Sequence, residues 1–583
     1  MSSFFVADQK IPIKQESIGI PSTNGLSYNP GQVIELQIDP QVIKFFSPKD
    51  TYLQFNVKIQ QPADTNGSLT RLMLDSHIGA QILIKEIRIH DGNNNALLEE
   101  IVGYNIACMT KYDYHSNESL RNKRALAEGA GARDPRNLGY LGSGDSYQSA
   151  NNNAYTKPPK DNTVNNASLL NAEYIDAKVC LPLNTGIFSN DKVFPTMLTS
   201  GLRISIILED ANKCIKQMES VMLNRKTYLN PFVHSQNGTT GVFTQDDDFT
   251  TIFLTPDNSQ VAVDRCPFVI GESLGFWDML TNQQRVLNGD DPIITAIELD
   301  GTTELIKLTT TSFQPTNDIP INTNGSSTLY SLSVDSGTTY NPTYRVSNVE
   351  LIVQSLDMGA GYESDMMKRM REGGTINYDF LSMTNYRYSQ LASDRVANIQ
   401  LPIENRRMKS IICVPTDSSV YTGKMILNAG GVKFGDNDYT YKEDNSADYN
   451  YREYQDRVGI AGIADEITSY QFLYAGRLQP SRLVDCSKTS SRVSVSQQHL
   501  IELEKALTQA NISGQSMLEF NTNFCIGRAV AVQNGIYDGR NRQFSLQVNY
   551  QEGDAPAKNK LWNNFVYHIR RLVIKGDNIS VEV

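Results

Sequence analysis

Val179-Cys180-Leu181-Pro182-Leu183, continued by Gly186-Ile187-Phe188, Phe194-Pro195 and Leu202-Arg203-Ile204-Ser205-Ile206-Ile207-Leu208, couples one apolar strand to another through a corner marked by proline. Further along, Ile399-Gln400-Leu401-Pro402-Ile403 leads through a polar turn to Met408, Ile411, Ile412, Val414 and Pro415 in the same manner. Proline has no N–H to give to a β-ladder, so it belongs at strand ends, edges and bulges. An apolar strand halted at a proline and resumed after a turn, met twice in one chain, predicts a single sandwich plan used twice.

Upstream of the first stretch the rhythm is period two. Ile34, Leu36 and Ile38 alternate with Glu35, Gln37 and Asp39, and Leu53, Phe55, Val57 and Ile59 alternate with Gln54, Asn56 and Lys58. Such alternation sends every second side chain into a core and leaves the other face wet. A strand over Ile82 to Ile89 meets the turn signal Asp91-Gly92-Asn93 and returns through Leu97, Leu98 and Ile101. Residues 113–166 and 242–344 read as long excursions between strands, the second holding short strands of its own. Val346 to Leu356 closes the first unit.

Ser364 to Glu372 reads as a hinge helix, with Met366, Met367 and Met370 on one side and Gly373-Gly374 to end it. The second unit opens at Thr375 to Tyr388 and Val396 to Ile403. It carries a tyrosine- and aspartate-rich loop over 435–456, a strand over Tyr470 to Tyr474, and a helix over Ser496 to Ala510. That helix shows Leu500, Leu503 and Leu507 on one face and Ser496 as N-cap. It closes in strands to Val583. The expected organisation is an N-terminal arm over 1–30, a first unit over 31–362, a linker helix over 363–374 and a second unit over 375–583. Helices are few and peripheral, so the fold class is all-β.

Composition fits this division. At 583 residues, and about 150 per domain, the chain exceeds one ordinary core. The 53 lysines and arginines against 64 aspartates and glutamates give a net charge of −11, which argues against a dedicated nucleic-acid binder. Apolar content of 40% with 20% charged residues is too apolar for a disordered chain. No basic, apolar leader opens the sequence, and no apolar run approaches the length of a membrane span. The seven cysteines, Cys108, Cys180, Cys214, Cys266, Cys413, Cys486 and Cys525, fall mostly inside apolar strand patterns and read as reduced, buried thiols.

Chemistry-bearing patterns are sparse. The histidines His77, His90, His115, His234, His499 and His568 lack ligand spacing. Asp246-Asp247-Asp248 and Asp290-Asp291 do not match a calcium-wrapping loop. Gly129-Ala130-Gly131 and Gly142-Ser143-Gly144 are not followed by the Lys-Ser/Thr of a phosphate loop. Glu99-Glu100 are sequence neighbours in a strand, so their side chains point to opposite faces. Arg121, Lys123 and Arg124, interspersed with Leu120, Ala125 and Leu126, read as an amphipathic surface helix that packs on a partner. Accordingly no catalytic, cofactor-binding or metal-binding residue is assigned, and no cofactor is expected.

The motifs do carry a family likeness. Ser76-His-Ile-Gly-Ala, Ile87-Arg-Ile-His-Asp-Gly, Leu97-Leu-Glu-Glu-Ile, Tyr112-Asp-Tyr and Ser119-Leu-Arg-Asn-Lys-Arg-Ala-Leu-Ala-Glu-Gly, in this order and spacing, resemble double jelly-roll major capsid proteins of the virophage and Polinton-like virus type. The Leu181 to Leu208 set looks like later strands of their first roll, and Ile399 to Pro415 like early strands of their second. The resemblance implies two tandem eight-stranded jelly rolls with long loops. It implies a non-enzymatic structural protein of the virion, made and assembled inside the host cell. Homotrimers would form pseudo-hexagonal capsomers that tile an icosahedral shell, in contact with neighbouring capsomers and with penton and minor capsid proteins. The long excursions would supply outer towers and trimer contacts. Two other readings stand beside it. One is a carbohydrate-binding or carbohydrate-active β-sandwich protein using aromatic loops such as 439–454. The other is a minor capsid or spike protein.

Overall fold

In a computed structural model, alternating apolar strands pair into four main antiparallel sheets. The structure describes residues 12–60, 71–115, 127–128, 177–218, 233–254, 273–332, 343–417, 460–512, 524–550 and 559–582, with breaks inside these spans at 75–77, 94–95, 235–241, 279–282, 285, 301–305, 321–326, 461, 463, 465–466, 475, 487–496, 532–534 and 576–577. The first unit is built from β1 (Lys14–Pro21), β2 (Val33–Ile38), β3 (Phe46–Gln60), β4 (Ile84–Asp91), β5 (Leu97–Val102), β6 (Ala177–Pro182), β7 (Leu202–Leu208) and β8 (Thr343–Asp357). The second is built from β9 (Ile376–Gln390), β10 (Val396–Leu401), β11 (Met408–Asp417), β12 (Ile467–Tyr474), β13 (Arg477–Asp485), β14 (Ile526–Ala529), β15 (Phe544–Tyr550) and β16 (Lys560–Lys575).

Strand order identifies the fold. One sheet of the first unit runs β1-β8-β3-β6 and the other β2-β7-β4-β5. In the second unit the sheets run β9-β16-β11-β14 and β10-β15-β12-β13. Adding eight to each label of the first unit gives the second. Eight antiparallel strands interleaved in this way between two facing sheets form a jelly roll. The all-β class and the two rolls predicted from the sequence are therefore present.

The two Leu-Pro stretches are not copies of one another, however. The first lies on β6 and β7, the second on β10 and β11, so they occupy different places in the repeated plan. Proline marks strand ends wherever a ladder lapses, and the repeat itself lies in strand order. Pro415 sits inside β11 rather than ending it, opposite Trp562 of β16. Among the described residues β14 pairs only with Ser410–Cys413 of β11, which leaves this end of β11 locally an edge among them.

Lys14–Pro21 is also strand rather than arm, paired along its full length with Glu350–Asp357 of β8. Its polar pattern KQESIGIP hides it from a periodicity search, since β1 is an edge with only Ile18 and Ile20 half-buried. Residues 1–11 of the expected arm lie outside the described residues, as do most of 113–166 and all of 435–456. Ile82 and Leu83 belong to a 3-10 turn over Gly79–Leu83, entered at a positive φ at Gly79, so β4 begins two residues later than its apolar run suggests.

Among the described residues, three helices of more than two turns stand outside the sheets: α1 (Tyr104–Tyr114), α2 (Ala360–Arg371) and α3 (Gln497–Gln509), beside a single turn over Ala211–Cys214. The linker α2 buries Met366 and Met370, one turn apart, while Met367 points outward. The chain leaves α2 through Gly373 at φ +80°, with Gly374 N–H bonded back to Arg369 O. On α3, Leu503 and Leu507 are buried and Leu500 partly so; Ser496, the expected cap, lies outside the described residues. Within 242–344 the short strands form separate small sheets around Phe243, Phe249, Phe276 and Phe313, whose ring centroids lie 4.7–5.8 Å apart.

Roll direction follows from the order. The connections β1–β2, β3–β4, β5–β6 and β7–β8 share one end of the first roll, and the other three share the opposite end. The first set includes 61–83, 103–176 and 209–342, the second only 39–45, 92–96 and 183–201. In the second roll the long connections 418–466 and 486–525 again fall in the first set.

Candidate functional site at the joint between the rolls

The Gly186-Ile187-Phe188 corner is buried, and what covers it is the second roll of the same chain. A β-carbon on Gly186 would lie 2.3 Å from Leu381 O, 2.5 Å from Phe380 Cδ2 and 2.8 Å from Glu99 Oε1. Only glycine allows the corner to approach β9 so closely. Glu99 of β5 holds both sides together. It accepts N–H bonds from Gly186 (2.8 Å) and Ile187 (3.0 Å) and the hydroxyl hydrogen bond of Ser382 on β9 (2.6 Å). Burial pushes the Glu99 carboxyl above its ordinary range, while Ser382, the two backbone donors and the Arg570 charge pull it back.

Further bonds run along the same seam. Tyr378 OH donates to Lys192 O (3.0 Å), Asn190 Nδ2 to Asp379 O (2.9 Å), and Asn385 Nδ2 to Val102 O (3.0 Å). Phe194 meets Tyr378 edge-on at 5.2 Å and Phe46 at 5.5 Å. Nearby, Arg571 grips Asp379 with two bonds (2.6 and 2.8 Å), which holds that carboxyl below its usual range. These are side-chain contacts rather than a β-ladder, and they cap β9, the edge strand of its sheet.

The order of contacts sets the relative direction of the rolls. Moving along β9, Tyr378 touches the β6–β7 connection, Ser382 touches Glu99, and Asn385 touches Val102 at the far end of β5. The strands β5 and β9 therefore climb together, so the long connections of both rolls leave from the same end.

The middle of the second roll's first sheet is buried on both faces. In β11, Ile411 and Cys413 face that roll's own core, while Ile412 and Val414 join the core of the first roll; in β16, Trp562 and Val566 alternate likewise with Phe565 and Tyr567. Unbroken apolar runs follow from two-sided burial, as in Ile411-Ile412-Cys413-Val414.

Two histidines lie deep in the second roll. His499 of α3 bonds Tyr470 OH through Nδ1 at 3.0 Å and stacks on Phe524. His568 of β16 bonds Thr384 Oγ1 through Nε2 at 3.0 Å. Burial pushes each down to about 3, and for His568 the Arg570 charge acts in the same direction. Unfolded, each returns to about 6.5, so below that pH the unfolded chain binds protons that the fold refuses. Stability is full above about 6.5 and falls by about 1.4 kcal/mol per pH unit for each histidine until the folded value is reached. The Glu99 shift has the opposite sign and the Asp379 loss begins only below the ordinary aspartate range, so between pH 6.5 and 5 the histidines dominate. The urea midpoint is expected to drop clearly from pH 7.5 to 5.5; an unchanged midpoint would show that both rings are hydrated.

The other candidates are dispersed. His90 and His115 are half-buried and far from this pair in the fold's connectivity, while His77 and the side chain of His234 lie outside what is described. Among the described residues, no three His, Cys, Asp or Glu side chains gather as metal ligands. Asp246, Asp247 and Asp248 are exposed and bond Asn288, Thr244 and Ser312 respectively. Of the described cysteines, Cys108, Cys214, Cys413, Cys486 and Cys525 are buried and free, and Cys180 is half-buried. Arg121, Lys123, Arg124, the two glycine-rich runs and the aromatic loop 439–454 lie outside the described residues. No helix is long and apolar enough to cross a membrane among them. Sequence reasoning set Glu99 aside with Glu100 as neighbours on opposite faces; the one available signal was that the strand LLEEIV carries two carboxylates, of which one must point inward.

No family model and no curated protein matches this chain. Solved structures similar to it include the PBCV-1 protein VP54, fitted into a cryo-EM reconstruction of the virophage Sputnik, at 10% identity and TM-score 0.46, covering 100% of this chain and 99% of that one. The Faustovirus major capsid protein follows at 8% and 0.44, covering 98% and 93%. The mavirus major capsid protein stands at 7% and 0.34, covering 99% and 93%. On the strength of its own strand order, repeated across two rolls that a buried glutamate clasps together, this chain is a double jelly roll.

Proposed function

We propose that this chain is a non-enzymatic major capsid protein whose homotrimer is the pseudo-hexagonal capsomer of an icosahedral virion. The observation that carries this reading is the common direction of the rolls. Long connections leave both from one end and short ones close the other, which gives the chain a base to stand on and an elaborated outer face. Two rolls fused side by side present flanks rather than a cleft, and sheet flanks in obligate assemblies are covered by neighbouring copies. The motif resemblance points the same way, and it brings neighbouring capsomers, penton and minor capsid proteins as partners and the virion as location. A net charge of −11 suits a wall that does not itself grip nucleic acid.

Light scattering on the purified chain is the test. Three copies of 65.1 kDa give about 195 kDa. A stable monomer at micromolar concentration would overturn the reading.

A further inference from the structure

Outside the joint, a cluster in the first roll gathers the groups of a condensation reaction: an amine, a carboxamide and a carboxyl. Lys111, in the last turn of α1, donates from Nζ to Oδ1 of Asn184 at 2.8 Å. Asn184 stands in the β6–β7 connection, two residues before Gly186, and its other polar atoms are fixed as well. Its backbone N–H donates to Tyr104 OH (2.9 Å) and its Nδ2 to Tyr112 OH (3.3 Å). Tyr112 OH in turn donates to Oε2 of Glu128 (2.5 Å). Gln81 braces both tyrosines, accepting from Tyr104 OH and donating to Tyr112 OH, each at 3.0 Å. Gln81, Tyr104, Tyr112, Glu128 and Asn184 are buried, and Lys111 is half-buried. A carboxamide free in water resists amines. Here its oxygen is turned to the amine, so the carbonyl carbon lies next to the nucleophile, and its nitrogen is pinned on a hydroxyl that leads to a carboxyl. Holding the reacting groups in contact removes much of the entropic barrier of a bimolecular step. A carboxyl acting through a hydroxyl adds general acid–base assistance.

We propose that Lys111 and Asn184 join in an intramolecular isopeptide bond, made by the protein itself with Glu128 as the proton carrier. Lys111 first releases a proton to solvent, to which its half-buried side chain still opens. The Nζ lone pair then forms a bond to Cγ of Asn184 as the C=O π electrons move onto Oδ1. Glu128 takes up the proton that Nζ gives away in this step and hands it through Tyr112 OH to Nδ2. When C=O re-forms, the Cγ–Nδ2 bond breaks and the nitrogen departs as ammonia. Nothing is oxidised or reduced, and no further reactant enters. The bond ties α1 to the connection whose corner Glu99 clasps, across a separation of 73 residues. The chain between residues 111 and 184 then leaves and re-enters the first roll at one covalent base, and that loop stays closed even when the roll unfolds. The inference is independent of the capsomer reading.

Intact-mass measurement on the purified full-length chain tests it. The expected mass lies below the sequence mass by one ammonia, about 17 Da, and proteolysis yields a branched peptide that joins Lys111 to Asn184. Lys111→Arg keeps the charge but not the primary amine, and is expected to restore the full mass. Glu128→Gln keeps the buried shape and is expected to restore it too, with an unchanged circular dichroism spectrum, whereas Glu128→Asp recovers part of the mass loss on incubation. A wild type that keeps its full mass after prolonged incubation at neutral pH overturns the proposal without recourse to any variant. So does a mass loss that persists in Lys111→Arg or maps to another pair of residues. Bond formation to the wild-type extent in Glu128→Gln overturns the part given to Glu128.

Discussion

Gly186→Ala is expected to unseat the two rolls from each other. The new methyl would sit 2.3 Å from a backbone oxygen of β9 and 2.8 Å from the Glu99 carboxylate, and neither is the free end of a flexible side chain. Overpacking with room to adjust costs about 1–3 kcal/mol, and here the neighbour that must give is main chain. The same displacement pulls Gly186 and Ile187 N–H groups off Glu99, leaving a buried carboxylate short of donors at a further cost of about 1–3 kcal/mol. The variant should therefore lose several kcal/mol, read as a lower urea midpoint, with the rolls unfolding in two separate steps where the parent shows one. Gly361→Ala is the control, since its β-carbon on α2 meets nothing within 4 Å and alanine favours helix. Equal midpoints for Gly186→Ala and Gly361→Ala would mean that the corner is looser than its geometry.

Trp562→Ala is expected to cost about 3–5 kcal/mol, the range for emptying a buried tryptophan site. Trp562 is fully buried between the second roll's sheets, and its Nε1 donates to Gln390 Oε1 at 2.7 Å, which also accepts from Tyr550 OH at 3.2 Å. Because β16 serves the core of the first roll through Phe565 and Tyr567 on its other face, the damage spreads to the joint. Trp562→Phe refills most of the volume and removes the indole donor, so its loss should be about 1 kcal/mol, the worth of one hydrogen bond. Trp277 remains in both variants as a fluorescent reporter in the 273–278 strand of the large insertion. A loss below 1 kcal/mol for Trp562→Ala in denaturant titration would show that the site collapses or fills with water.

Much of the fold is legible in side-chain rhythm. β7 reads Leu202, Ile204, Ile206, Leu208 inward and Arg203, Ser205, Ile207 outward, and the structure buries it in that alternation. β2, β3 and β10 follow in the same way, because a strand with one wet face must alternate. β1 escapes the reading, since an edge strand with only Ile18 and Ile20 half-buried buries too little to show a period. Strands β11 and β16 show apolar runs instead of alternation because a second core lies on their other face. The Leu-Pro stretches led to a correct count of two sandwiches from a likeness that is not the repeat.

The candidate site was far less legible. Glu99 beside Glu100 reads as one of many acidic pairs, and Gly186 as one turn glycine among 39 glycines. Their partners Ser382, Phe380 and Leu381 stand on the other roll, and no local pattern couples residues so distant in sequence.

Taken alone, the sequence determined what local chemistry determines: strands where every second residue is apolar, short helices where glycine and leucine spacing permit, two cores rather than one, and no recognisable catalytic pattern. Tertiary structure alone decided which strands became neighbours, that β1 belongs to the first sheet, that both rolls point the same way, and that a carboxylate would be buried where they meet. The division has one physical cause. Burial period and turn preference are set within a few residues, whereas strand order and the close approach at Gly186 depend on backbone meeting backbone across the fold.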